Sequence, residues 1–166
     1  MANEIRRLVA YKAKISSLLN GQYFKEEGWA SNYILAEDGR KLSRVNVIGI
    51  VVAKNLDQNA NYGEILIDDG SAKISLRSFE KNEALENAKI GDIVLVIGRP
   101  REFVNEKYII VEILKTLNDK NWLELRRLEL SIKEKSKEIS EDDVEEVITD
   151  VVEKMPGNSQ TDVIGI

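Results

Sequence analysis

The sequence predicts a mainly β protein: a closed barrel of five strands, preceded by an N-terminal extension and followed by α-helices. Three observations carry this prediction. Five apolar-rich runs with strand-like patterning fill residues 44–115. An Asp-Gly turn joins the second run to the third, a strong hairpin signal. A short helical segment, too brief for a βα crossover, separates the third run from the fourth. Three strands, a short helical connection and two more strands is the order of the OB-fold, a small Greek-key barrel. A β-sandwich would need about seven strands.

The elements follow in order. Residues 1–43 form an extension that covers the barrel. Its start, "MANEIRRLVA", has neither the apolar core nor the cleavage site of a secretory signal. "YKAKISSLLNGQYF" reads as an extended piece and then a short helix, with Ser16 or Ser17 near its start. "GWASNYILAEDGRKLS" reads as a hairpin or irregular cover turning at Asp38-Gly39, and lays Trp29 and Tyr33 over one end of the barrel, Trp29 (like Trp122) as a structural residue.

The barrel occupies residues 44–117. "RVNVIGIVVAK" (44–54) carries Gly49, where a strand can bend or bulge. "YGEILID" (62–68) alternates, with Ile65 and Ile67 on one face. Asp69-Gly70 turns into "AKISLRSF", whose Ile74 and Leu76 suit a core and whose Lys73, Ser75, Arg77 and Phe79 take the outward phase. "EKNEALENAK" (80–89) is the short helix or turn. "GDIVLVIGRP" (91–100) is nearly continuous in apolar residues, as a buried strand is. "REFVNEK" reads as a polar hairpin loop before the fifth strand, "YIIVEILK" (108–115).

Composition excludes several chemistries. Of 166 residues none is Cys or His, so this chain forms no disulfide and offers no thiolate or imidazole metal ligand. Cys–His and Ser–His nucleophilic catalysis is excluded with them. Asp68 and Asp69 are adjacent on a strand and point to opposite faces, a poor chelating pair. No phosphate-cradling Gly-rich loop appears. No active site, metal or cofactor is expected, so the reading is of a non-enzyme. The apolar runs "VIGIVVA" and "IVLVIG" are too short to cross a bilayer, and the expectation is a soluble, intracellular protein.

Net charge is −5 and unevenly placed: residues 1–118 sum to +1 and residues 119–166 to −6. Any nucleic-acid function must rest on local placement, not on total charge. The outward phase of the third strand and its two flanking loops supply that placement. Arg77 and Phe79, with Lys73, share the strand face. The first loop ends in Tyr62; the second combines Arg99, Arg101 and Lys107 with Phe103 and Tyr108. Rings among cations on an OB barrel suit unpaired nucleotides, because bases stack on rings while Lys and Arg track phosphates. Each ring also has a bland reading, folded beneath its helix or pinning its own loop.

Behind the barrel, residues 118–139 read as a helix with Asp119 as N-cap. At 100° per residue Leu125, Leu128, Ile132 and Ile139 lie within about 60° of one another, while Trp122, Leu123 and Leu130 gather on another side. One stripe suffices to dock the helix on its own barrel. The second either widens that contact or meets helices of other chains, with Trp122, Leu125, Leu128, Ile132 and Ile139 as the candidate contact set. Residues 140–166 hold a second helix, "SEDDVEEVITDVVEKM", opened by a capping-box variant at Ser140 and Asp143, and a tail. Its Val144, Val147, Ile148, Val151, Val152 and Met155 form an i, i+3, i+4, i+7 ladder that needs a partner surface. The expectation is the start of a truncated C-terminal module.

"KISSLLNG", "RKLSRVNVIGIVVAKN", "EILIDDGSAKISLRSF" and "REFVNEKYIIVEI" together resemble the middle (32 kDa-type) subunit of replication protein A, and most closely its archaeal relatives. Members of that family typically show "NY…DGR…RVNVIG" and "NWLELR", found here as Asn32-Tyr33, Asp38-Gly39-Arg40, Arg44 to Gly49 and Asn121 to Arg126. The resemblance spans residues 12–139. It implies an OB-fold subunit of a heterotrimer that binds single-stranded DNA in replication, repair and recombination. The helix after the barrel would join helices of the large and small subunits in a three-helix bundle through Leu125, Leu128 and Ile132. A stacking ring on the third strand carries over to Phe79. The family's second ring, on the fifth strand, falls near Glu112, which is not aromatic. The family commonly ends in a winged-helix module, whose first helix residues 140–155 would be. Two alternatives remain: a structural adaptor using barrel and helices for protein assembly, and an OB module that binds RNA.

Overall fold

The computed structural model describes residues 8–138 and 141–154. The chain divides into two compact units, one ending at Leu130 and the other beginning at Ser131.

The first unit opens with β1 (Tyr11–Lys12) and α1 (Ile15–Asn20). α1 has six residues, too few to be stable alone. Its first amides are capped from outside: Ile15 N–H donates to the Asp69 carboxylate at 2.9 Å and Ser16 N–H to Ser71 Oγ at 3.1 Å. At its other end the Lys107 ammonium donates to the Leu19 carbonyl at 2.9 Å. β2 (Gln22–Phe24), β3 (Tyr33–Leu35) and β4 (Lys41–Leu42) form a small antiparallel sheet. Its second turn lies at Asp38-Gly39 as expected, with Gly39 at φ +84.

The barrel consists of β5 (Val45–Asp57), β6 (Tyr62–Asp68), β7 (Lys73–Ser78), β8 (Ile93–Phe103) and β9 (Glu106–Leu117). The order is β5-β6-β7-β9-β8, and β8 returns to pair with β5, closing the sheet. β7 and β9 run parallel and the other barrel pairs are antiparallel; β1 adds to β5 in parallel. This is the OB architecture the strand order predicts. Alternation fills the interior with Val45, Val47, Ile65, Ile67, Ile74, Leu76, Val94, Val96 and Ile109, all buried.

α2 (Glu83–Asn87) closes one end. Its N-cap, Asn82, accepts from Leu85 N–H at 3.1 Å, and the barrel's Lys54 holds the Glu86 and Ala88 carbonyls. Gly49 does not mark the bulge in β5. The register shifts three residues later, between Val51 and Ala53; Gly49 instead lets the Asp68 backbone approach to where a Cβ would sit 3.1 Å from its carbonyl oxygen.

The last hairpin differs most from expectation. β8 and β9 continue to a turn of two residues, Val104 and Asn105, with φ of 50° and 60°. Positive φ at both central residues is what a type I′ turn requires, here without the usual glycine. Pro100 is tolerated because β8 pairs with β5 only as far as Gly98, leaving an edge where no N–H is needed. Arg101, Phe103 and Lys107 are therefore strand residues, not loop residues.

α3 (Asn121–Glu138) starts in the first unit. Leu123, Arg126 and Leu130 are buried on the barrel side. The Arg126 guanidinium, with its residue 6% exposed, donates to the Asn46 carbonyl and Oδ1, both at 2.8 Å. Its Nε faces Glu129 at 3.4 Å, and Glu129 also takes the Lys12 ammonium at 3.1 Å. Burial lowers the pKa of Arg126, and the hydrogen bond from Lys12 lowers that of Glu129. Leu125 and Leu128 stand in solvent, Leu128 at 61%.

In the second unit Ile132 is 67% exposed, and α4 (Glu141–Lys154) presents Ile148, Val151 and Val152 to solvent. Ile139, Ser140 and Met155, named above, lie outside the described residues. Among the described residues no helix is long and apolar enough to cross a membrane.

Candidate nucleic-acid interface

The pleat sorts the outward side chains of four strands onto one face. β6 contributes Tyr62 and Glu64; β7 contributes Lys73, Ser75 and Arg77, with Phe79 just past its end. In the β8–β9 ladder Phe103 lies opposite Glu106, Arg101 opposite Tyr108, and Arg99 opposite Ile110. In the β7–β9 ladder Ser75 pairs with Tyr108 and Arg77 with Ile110. Eight of the nine sequence-predicted nucleic-acid residues thus share one strand face.

Phe79 is 56% exposed, and its ring meets that of Tyr62 at 5.6 Å between centroids and 48° between planes. Tyr62 is part-buried and offers Phe79 an edge to lean on. Beside this pair a cleft of about 320 Å³ opens towards α2, lined by Asn61, Tyr62, Ser78 and Asn82 among others. Phe103, 70% exposed, marks the hairpin tip. Lys73 is exposed at the other end of β7.

Arg77 is bound on several sides. Its guanidinium lies over the Tyr108 ring at 4.4 Å, its Nε sits 3.4 Å from Glu64, and its Nη2 sits 3.0 Å from Glu106. Glu64 gathers this patch: one oxygen accepts from the Ser75 hydroxyl at 2.6 Å, the other from the Tyr62 hydroxyl at 3.2 Å. The Ser75 hydrogen bond, aided by Arg77, holds the Glu64 carboxyl below its ordinary value despite burial. Burial, and then the Glu64 charge, push the Tyr62 phenol up. Sequence reasoning did not single out Glu64. The available signal was its phase, since it shares with Tyr62 the outward side of an alternating strand.

Two placements need correction. Lys107 takes the opposite phase to Tyr108, its side chain mostly covered; it holds the Leu19 carbonyl and lies 3.6 Å from Glu102, so it belongs to the N-terminal packing and not to this face. Trp29 was expected over the barrel end and is instead fully exposed. The turn carrying it, Gly28 to Ser31, supplies no large apolar side chain beside the ring, a signal already present in "EEGWASN". Among the contact-set residues Trp122 is half-exposed, whereas Leu123 and Leu130, grouped with it by angle, are buried.

Glu112 is the extra residue of a β-bulge, since Ile97 pairs with Ile113 and Gly98 with Val111. One of its oxygens takes Arg99 Nε and the other Arg44 Nε, both at 2.9 Å. Where the family resemblance placed a second ring, a carboxylate bridges two arginines. Asp69, set aside as a metal ligand, accepts from Ile15, Ser71 and Ala72 as a turn and cap residue. Among the described residues no group of three or more acidic side chains could hold a metal ion.

No family model matches the chain. An uncharacterised protein of Methanocaldococcus jannaschii is 37% identical over 129 residues, which are 76% of this chain and 49% of that protein. The chain therefore spans about half the length of that relative. Among solved structures, a replication protein A heterotrimer bound to single-stranded DNA contains a similar chain, with a TM-score of 0.59 at 20% identity, covering 74% of this chain and 92% of that one. Yeast replication protein A bound to single-stranded DNA gives 0.58 at 24% identity, covering 75% and 89%. The Stn1–Ten1 complex of S. pombe gives 0.56 at 17%, covering 63% and 81%. At these identities the likeness establishes the fold: a five-stranded OB barrel with C-terminal helices.

Proposed function

We propose that this protein is a non-catalytic, single-stranded-DNA-binding subunit of a replication-protein-A-like heterotrimer, serving replication, repair and recombination. The observation that carries the reading is the open barrel face, where Phe79 stands in solvent against Tyr62 with Lys73, Arg77, Arg99 and Arg101 on the same surface. A base stacks on Phe79, a contact worth roughly 1–3 kcal/mol. Phosphates follow the cations, and their binding weakens with salt. Arg77 and Arg99 already hold Glu64, Glu106 and Glu112, so a phosphate must displace a carboxylate to reach them. The isolated chain accordingly binds weakly.

Stronger binding comes with assembly. Leu125, Leu128 and Ile132 are exposed on α3 and, with Trp122, form the surface for helices of large and small partner subunits; Ile139 continues the spacing beyond the described part of α3. The same exposed stripe also supports the adaptor reading, in which the barrel face serves proteins and not DNA. Fluorescence anisotropy with a labelled oligonucleotide separates the two. Phe79→Ala weakens DNA binding roughly tenfold on the first reading. Binding that is tight in the isolated chain and indifferent to Phe79→Ala refutes it. Competition between DNA and RNA oligonucleotides of one sequence tests the RNA alternative.

A further inference from the structure

We infer that the N-terminal extension supplies a second stacking ring, Trp29, which carries the path of an unpaired strand off the barrel face and into an adjoining groove; this rests on the single-strand reading above. The groove, about 880 Å³, is lined by Trp29, Tyr33, Lys41, Arg44, Arg99 and Glu112 among others. Its charged lining is three cations (Lys41, Arg44 and Arg99) against two carboxylates (Glu26 and Glu112). Arg44 and Arg99 share Glu112, which leaves a positive excess on the pair.

The rings here are unequal. Tyr33 is engaged: it stacks on Phe24 at 5.3 Å and 20°, and the Lys41 ammonium lies 5.1 Å from its centroid. Trp29 follows Gly28, which adopts a φ of +73°, and its indole is wholly in solvent. A large ring so placed adds nothing to a core, yet it meets the stacking requirement of an unpaired base.

Continuity selects the occupant. Arg77 lies beside Ile110 across the β7–β9 ladder, and Ile110 lies opposite Arg99 across the β9–β8 ladder. Two strand spacings of about 4.8 Å thus separate the barrel's central arginine from the arginine that borders the groove. The bulge at Glu112 draws Arg99 and Arg44 together at that border. A strand stacked on Phe79 and crossing β7, β9 and β8 enters the groove under Trp29.

The full chain is titrated with labelled oligothymidylates of about 6 and about 20 nucleotides, lengths that bracket the footprint of one OB barrel. Trp29→Ala is expected to weaken the long oligonucleotide by roughly tenfold and the short one by less than about twofold. Tryptophan emission of the wild type falls on titration, and Trp29→Ala, which retains Trp122, loses that fall. If both lengths bind, Phe79→Ala weakens them and Trp29→Ala changes neither affinity nor quenching, this inference fails while the single-strand reading stands. If neither length binds, both fall. If an acidic peptide quenches Trp29 and oligonucleotides do not, the groove belongs to a protein partner and the inference is overturned.

Discussion

The barrel face and helix α3 both leave apolar side chains in water, but the company those side chains keep is different. On the face Phe79 and Phe103 are flat rings with cations nearby, and the charges beside them are already paired with carboxylates. On α3 Leu128 and Ile132 are aliphatic and repeat at helical spacing. A π-face between guanidinium groups suits a base and its phosphate; a ladder of branched alkyl groups suits another helix. Equal exposure therefore does not mean equal purpose.

The sharpest test breaks the two apart. Leu128→Asp with Ile132→Asp should abolish copurification of partner subunits from the native cell. It should leave thermal stability of the isolated chain within about 0.5 kcal/mol, since both side chains are solvent-exposed. Partner recovery equal to wild type would remove α3 from assembly.

The covered side of α3 sharpens the contrast. Arg126→Ala leaves the Asn46 carbonyl and side chain without their donors, and is expected to cost roughly 2–3 kcal/mol in a denaturant titration. Leu128→Ala, two residues further on and facing water, should cost almost nothing.

On the face, Glu106→Gln frees one side of Arg77 for phosphate. DNA affinity should rise about two- to fivefold, and the slope of log affinity against log salt should steepen by up to about one. A fall in affinity would show that Glu106 positions Arg77 and does not mask it.

The smallest effect concerns acid. Glu64 has a lowered pKa in the folded chain, through the Ser75 hydroxyl first and, with burial opposing, the Arg77 charge. The folded state thus binds fewer protons than the unfolded one across that interval. The contact contributes stability above the ordinary carboxylate value of about 4.3 and loses it as pH falls through the folded value. The gap in urea midpoint between wild type and Glu64→Gln should correspond to less than about 1 kcal/mol at pH 7 and narrow towards pH 3.

How much of this was legible in the sequence depended on the range of the interaction. Ile65, Ile67, Ile74 and Leu76 were readable because period two is a local property, and all four are buried. The Asp69-Gly70 turn was readable for the same reason. The capping of α1 by Asp69 was not, since the partners are 54 residues apart. "REFVNEK" resembles a loop by composition, and only its pairing with β9 shows that it is strand to the tip. That error put Lys107 on the wrong side, because phase has no meaning in a loop. Trp29 was misplaced by the general habit of tryptophan to be buried, against the local evidence of a polar turn. Of the site, the outward phase of β7 was visible; the carboxylates that occupy its arginine were not, because Glu64 and Glu106 come from two other strands.

Helix α1 is gripped at one end by Asp69 and Ser71 and at the other by Lys107. Six residues cannot hold a helix unaided, so this piece of the beginning of the chain depends on residues near its middle. A ribosome that has made Leu19 must deliver 88 further residues before its last clamp, Lys107, exists. Helix α1 is thus a late arrival in folding although it is synthesised before its clamps.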